Sequence, residues 1–320
     1  MRPHRRPLAR LALALLAGSA WSCGDGGTTT DAPLAPEAIA SEERVLVDPS
    51  RATAPNGSFP GAPERRIATR LWYAPDAPRM RPCDGDGCAL VVLAHGFGGS
   101  TMRFDAFARY LAGRGWVVAA PAFPLTNEDA PGGHQTAIGD VVSQPADVSF
   151  VIERLLAASA DPADALHGRI DGERIGVVGH SLGGATVAAL TRLPCCTDPR
   201  VDAVVGVAGL GSVVGALFGE EVSAAGPPTL CLTGDRDTVV PSALVREFYD
   251  GIEPPRVYLE LRGANHVDLI ENYGEPSPNL APTERASEAF LAAYLAGDAS
   301  DLAATLDELA AEGQTVVADL

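Results

Sequence analysis

Arg174–Leu190 reads RIGVVGHSLGGATVAAL, and the two halves of this stretch have different characters. Ile175, Val177 and Val178 make a short apolar run that fits a buried strand, whereas Leu182 to Leu190 is rich in Ala and Leu and fits a helix. At the join stands a polar pair, His180-Ser181, with Gly179 before it and Gly183 after it. The five residues have the form G-x-S-x-G. A strand that turns straight into a helix strains its corner residue and crowds the neighbouring backbone. Glycines two positions to either side remove the Cβ atoms that would collide. The corner hydroxyl then stands at a helix start, where amides and the helix dipole favour developing negative charge. In a chain with 34 glycines the pattern also arises by chance, as a turn without chemistry. The apolar strand before it and the helix after it give it weight.

A serine nucleophile needs a base, and at a corner of this kind the partners follow in the order Ser, acid, His. The chain has six histidines, and His266 alone lies downstream of Ser181. It sits in YLELRGANHVDL (258–269), on the loop that follows an apolar strand. The acid belongs between them, where TLCLTGDRDTVVP (229–241) offers Asp235 and Asp237 after another strand. Asp237 is the preferred acid, and Asp235 reads as a turn residue at the strand end. A carboxylate there fixes the tautomer of the histidine and stabilises its cation. Two backbone amides would hold the oxyanion: that of Leu182, and that of Phe97 in VVLAHGFGGS (91–100), where glycines let the chain turn inward. His95 and His180 read as braces of these loops rather than as second bases.

The remaining strands expected from apolar runs are 66–73, 89–94, 116–120, 174–179, 201–208, 229–233 and 256–261. Helical patterns lie at 104–112, at 147–157 and from Ser181 onward. Several strands are continuously apolar, as in a sheet covered on both faces, and their alternation with helices predicts an α/β fold with a mostly parallel sheet. In such sheets ligands bind at the carboxyl ends of the strands, where all these polar loops lie. Leu302, Leu306 and Leu309 share one helical face, which predicts an accessory helix at 301–312 within a C-terminal unit of 301–320.

The N-terminus carries four arginines in its first ten residues, then an apolar run from Leu11 to Ala20 ending in SAWSC. This order predicts a signal peptide over 1–22 and export, to the cell envelope or the medium. The run is too short to span a membrane. Cys23 is placed as the lipidated first residue of a bacterial lipoprotein, which would attach the chain to a membrane; ordinary cleavage nearby is the alternative. Residues 23–40 read as a flexible tether, and 41–300 as the catalytic domain. A net charge of −17 excludes nucleic acid as a partner. If Cys23 is lipidated, five cysteines remain, so at least one is a free thiol. Cys83 and Cys88 bracket DGDG and are placed to close a small disulfide. Cys231 reads as a buried free cysteine or as a partner of Cys195 or Cys196. No Cys/His cluster has zinc-ligand spacing, and Asp84 with Asp86 lacks a full calcium set.

The motifs HGFGG, GHSLGG, GDRDTVVP and GANH occur in this order, each at a strand end. In this the chain resembles the α/β-hydrolase family, from about Arg66 to Leu295. YLELRGANH and the FLAAYLAGD helix resemble its dienelactone-hydrolase-like and bacterial polyester-hydrolase-like branch. Dienelactone hydrolases themselves carry cysteine as nucleophile, and this chain has Ser181. The resemblance implies a mostly parallel central sheet with helices on both faces and no large cap domain. It implies a serine hydrolase that cleaves carboxylic esters through Ser181, Asp237 and His266 by way of an acyl-enzyme, with no cofactor and no metal. A monomer acting on small, lipid or polymeric esters is expected. A peptidase or thioesterase of the same fold, and a catalytically silent binding lipoprotein, stand as alternatives. Phe123 and Leu125 read either as the lining of an acyl pocket or as loop packing.

Overall fold

The computed structural model describes residues 33–75, 82–84, 87–271 and 277–320. The expected signal peptide, Cys23 and most of the expected tether lie outside these residues. The strands are β1 (Ala40–Asp48), β2 (Arg65–Tyr73), β3 (Cys83–Asp84), β4 (Gly87–Ala94), β5 (Val117–Ala122), β6 (Ile170–His180), β7 (Val201–Val207), β8 (Thr229–Gly234), β9 (Arg256–Leu261) and β10 (Thr315–Asp319). The helices are α1 (Asp105–Ala112), α2 (Gln144–Ala160), α3 (Leu182–Arg192), α4 (Val214–Phe218), α5 (Ser242–Gly251), α6 (Leu280–Leu295) and α7 (Ser300–Ala311).

All ten strands join one sheet, ordered β1-β2-β5-β4-β6-β7-β8-β9-β10, with β3 folded back on β4. Strands β5, β4, β6, β7, β8 and β9 run parallel. The pairs β1–β2, β2–β5 and β9–β10 are antiparallel. The continuous apolar runs are buried on both faces, and β4 illustrates how. Its Val91 and Leu93 pack with Phe107, Leu111 and Phe290 of α1 and α6, while Leu90 and Val92 pack with Val148, Ile152 and Val187 of α2 and α3. A period of two on a doubly covered strand leaves no polar position.

The two ends of the chain differ from the sequence reading. The expected tether to residue 40 is folded from the described Pro33 onward: Leu34 N–H donates to Gly113 O at 2.7 Å, and Ile39 is buried in the core. At the other end the helix forms, but 301–320 is not helix alone. After α7 the chain continues into β10, which pairs residue for residue with β9. Besides the two-residue β3, the strands that the apolar runs did not announce are β1 and β10, which lie at the sheet edges, where one side stays wet and charges interrupt the apolar pattern.

Cys83 is bonded to Cys88 across the β3–β4 hairpin, and Cys195 to its neighbour Cys196. Cys231, inside β8, is free and buried, and burial pushes its thiol up to about 12. Among the described residues no helix is long and apolar enough to cross a membrane.

Candidate active site

Strand β6 delivers Ser181 at a corner with φ 54° and ψ −116°, a backbone conformation that costs a side-chain-bearing residue about 1–3 kcal/mol. The glycines around it are required by contact. A Cβ on Gly179 would stand 2.2 Å from Gly183 O, and one on Gly184 would stand 2.4 Å from the Gly209 Cα. Ala208, at the end of the neighbouring β7, is the other non-glycine residue with positive φ among those described. Two residues later, Leu210 N–H donates to Ser181 O at 3.1 Å, so the corner is braced from its flank. Ser181 is the N-cap of α3, yet its hydroxyl makes no capping hydrogen bond. A turn serine normally spends its oxygen this way; this one does not.

The loop after β4 lies against that corner. His95 is fully buried and uses both ring nitrogens: Phe123 N–H donates to Nε2 at 3.0 Å, and Nδ1–H donates to Gly96 O at 2.7 Å. Burial pushes its imidazole down to about 4, which keeps it neutral as those roles demand. Gly98 N–H donates to Thr126 O at 2.7 Å. Thr126 in turn is bonded through Gln144 to Thr186 on α3, a buried polar bridge between the two loops. The amides of Phe97 and Leu182 donate no hydrogen bond among the described residues. Two unspent donors thus flank Ser181, in the arrangement that an oxyanion would complete.

Asp237 and His266 come from the ends of β8 and β9. His266 Nδ1 donates to Asp237 Oδ2 at 2.7 Å, which leaves Nε2 as the ring nitrogen with a lone pair. The other carboxylate oxygen accepts the amides of Val239 and Val240, both at 2.8 Å. Burial raises the Asp237 carboxyl, but the bonds from His266 and these two amides outweigh it and hold it below the ordinary range. Asp235 takes the other role, accepting Gly263 N–H at 2.6 Å and tying the β8 and β9 loops together.

His180 reads from sequence as a neighbour packed on the corner, and its placement adds to that. Its Nε2 lies 2.9 Å from His266 O, its Nδ1 lies 3.0 Å from Glu271 Oε1, and its ring lies 4.8 Å from that of His266. Glu271 is buried, with Arg103 3.5 Å from its second oxygen. Neither Glu271 nor Gln144 carries a sequence signal, because each matters only through residues far away in the chain. Phe123 and Leu125 are buried, and the Phe123 ring lies 4.8 Å from that of His95 at a tilt of 51°, which favours loop packing for the pair. Between β7 and β8 only short helical turns intervene, and no cap covers the face among the described residues. No group of three or more His, Cys, Asp or Glu among the described residues is placed to hold a metal.

Residues 82–280 match the family model described as PET hydrolase-like. Among solved structures, the chain is similar to a ferulic acid esterase from Streptomyces cinnamoneus, with a TM-score of 0.62 and 23% identity over 84% of this chain and 93% of that one. At that identity the likeness speaks for the fold. No curated protein sequence matches the chain.

Proposed function

The chain belongs to the PET hydrolase-like family and is a carboxylic-ester hydrolase, and on that premise we propose that it works through Ser181, His266 and Asp237. The observation that carries this reading is the 2.7 Å bond from His266 to Asp237, made by two strand-end loops beside the uncapped hydroxyl of Ser181. His266 Nε2 takes the proton of Ser181, and Oγ attacks the ester carbonyl. The amides of Phe97 and Leu182 hold the resulting oxyanion. The alcohol leaves with the proton from His266, giving an acyl-enzyme, and a water activated by the same nitrogen releases the acid. Asp237 stabilises the imidazolium formed in each half. Ser181 and His266 are not hydrogen-bonded to each other in the resting chain, a contact that closes when substrate binds.

The substrate reading rests on the surface around the site. Among the described residues eight large apolar side chains are exposed, and six of them, Phe97, Met102, Ile138, Val142, Leu217 and Val239, lie on segments leaving the carboxyl ends of strands. An open face ringed in this way favours a bulky or polymeric ester over a small polar one. The N-terminal pattern and two disulfides support action outside the cytoplasm, either secreted or held by a lipid on Cys23.

Replacing Ser181 by Ala abolishes p-nitrophenyl acetate hydrolysis and fluorophosphonate labelling while the thermal transition persists. Retained turnover in that variant overturns the assignment, and failure of the wild type to label turns the reading toward a silent binding protein. A panel of esters, amides and thioesters separates the esterase from a peptidase or thioesterase of the same fold.

A further inference from the structure

We propose that Glu271 and His180 form a positioning pair that aims His266. The inference rests on the reading of His266 as the base. The argument begins with hydrogen-bond roles. The carbonyl oxygen of His266 can only accept, so His180 Nε2, 2.9 Å away, must carry a proton. The contact between His180 Nδ1 and Glu271 Oε1 at 3.0 Å needs a second proton between them. The pair therefore holds two protons in total. Arg103 lies 3.5 Å from the other oxygen of Glu271 and braces the carboxylate from that side.

Among the described residues, charged and titratable groups around the pair come from several loops of the site. Arg103 lies on the 3-10 turn that follows the β4 loop, and its guanidinium also pairs with Glu128 from the β5 loop. His95, neutral and buried, stands on the β4 loop. His266 stacks on His180 from the β9 loop, with Asp237 of the β8 loop behind it. Arg103 is thus the cation that balances Glu271, and the side chains of both His180 and Glu271 are only 3% exposed.

Removing the carboxylate of Glu271 leaves Nδ1 of His180 without this partner in a buried site, which is destabilising and frees the ring to turn. The segment carrying His266 then loses its backbone anchor while its ring stays on Asp237. His180 is also the chain neighbour of Ser181, so the pair couples the nucleophile corner to the base. A misplacement of about 1 Å at such a centre lowers turnover by up to about 10²-fold.

Two substitutions separate this from a merely structural role. In Glu271→Gln the side-chain amide still hydrogen-bonds Nδ1 of His180, so Nε2–H stays on the His266 carbonyl. In Glu271→Leu that bond is lost. With a soluble p-nitrophenyl ester, Glu271→Leu lowers kcat about 10–100-fold with KM within about twofold, whereas Glu271→Gln loses less than about tenfold. Equal losses in the two variants, or a loss carried by KM, overturn the proposal. If Glu271→Leu does not fold, Glu271→Ala is compared with Glu271→Gln in the same way. Fluorophosphonate labelling of the wild type keeps the two readings apart. A labelled wild type with indistinguishable variants sinks the pair alone, and an unlabelled wild type sinks the reading of Ser181 on which it rests.

Discussion

Gly183 presses its backbone so closely on the end of β4 that a Cβ added to it would stand 2.0 Å from the carbonyl oxygen of Ala94. The obstructing atom is backbone at the centre of a parallel sheet, so it cannot swing aside as a side chain tip would. Gly183→Ala therefore forces α3 away from the β4 loop and separates the amide of Leu182 from that of Phe97. Expected outcomes are a lower thermal midpoint and a fall in kcat/KM of about 10²-fold or more, as for loss of one oxyanion donor. Thermal scans and ester kinetics on the same preparation check both. A variant with normal stability and turnover would show that the corner tolerates the shift.

The two aspartates of GDRD make opposite predictions. Asp237 holds His266 Nδ1–H, so Asp237→Asn favours the wrong tautomer and lowers kcat by about 10³–10⁴-fold. Asp235 accepts only the Gly263 amide, and Asp235→Asn keeps an oxygen for that bond. Its loss of kcat is expected to stay below about tenfold, since it removes one charge-assisted hydrogen bond from a turn. Measured side by side, a larger loss in Asp235→Asn would exchange the two roles.

Asp235 and Asp237 leave the same strand end, so the preference for Asp237 came from the residues that follow it, Thr238 to Pro241, while the strand ends themselves pointed to the candidates. In a parallel sheet the chemistry gathers at strand ends, so Ser181, Asp237 and His266 could be picked by order and by the apolar runs preceding them. Glu271 and Gln144 could not, since their burial is decided by His180 and Thr186, which lie 91 and 42 residues away. The parallel strands announced themselves by unbroken apolar runs. Strand β1, with Glu42, Glu43 and Arg44 in its centre, did not, because an edge strand keeps one row of side chains in water. The ring pairing of Phe123 with His95 was equally hidden: the sequence places both on strand-end loops without saying which loop turns inward.

Arg65 is the main cation of a buried network that ties β2 to α2 and the turn before it. Its guanidinium is 1% exposed and meets Asp147 at 2.6 Å and Asp140 at 2.7 Å, with Arg51 reaching Asp147 from the edge at 2.8 Å. Arg65→Met removes the cation and strands two carboxylates in the interior. Breaking a buried pair from one side costs about 3–5 kcal/mol. For a domain of this size that lowers the thermal midpoint by roughly 10 °C. Differential scanning calorimetry checks the figure, and a shift under a few degrees would mean that Arg51 takes over the network.

His95 ties stability to acid through its neutral ring. It is fully buried, and burial, the largest influence, pushes its imidazole from 6.5 down to about 4 against the opposing Gly96 hydrogen bond. The unfolded chain takes up this proton as pH falls through about 6.5, and the folded chain resists until about 4. Above that window both states are neutral and the residue contributes nothing. Within it the unfolded state gains, so stability falls with pH, by about 3 kcal/mol across the full window. Asp237 acts lower: its carboxyl is held below the ordinary range, so its contribution is lost only as pH falls further. His95→Gln retains an oxygen for the Phe123 amide and has no proton to gain. Its thermal midpoint is lower at neutral pH but declines less steeply than that of the wild type between about pH 6.5 and 4.5. Parallel declines in the two proteins would assign the acid sensitivity elsewhere. A shallower slope in His95→Gln would mean that the brace of the oxyanion loop is also the residue that limits the fold in acid.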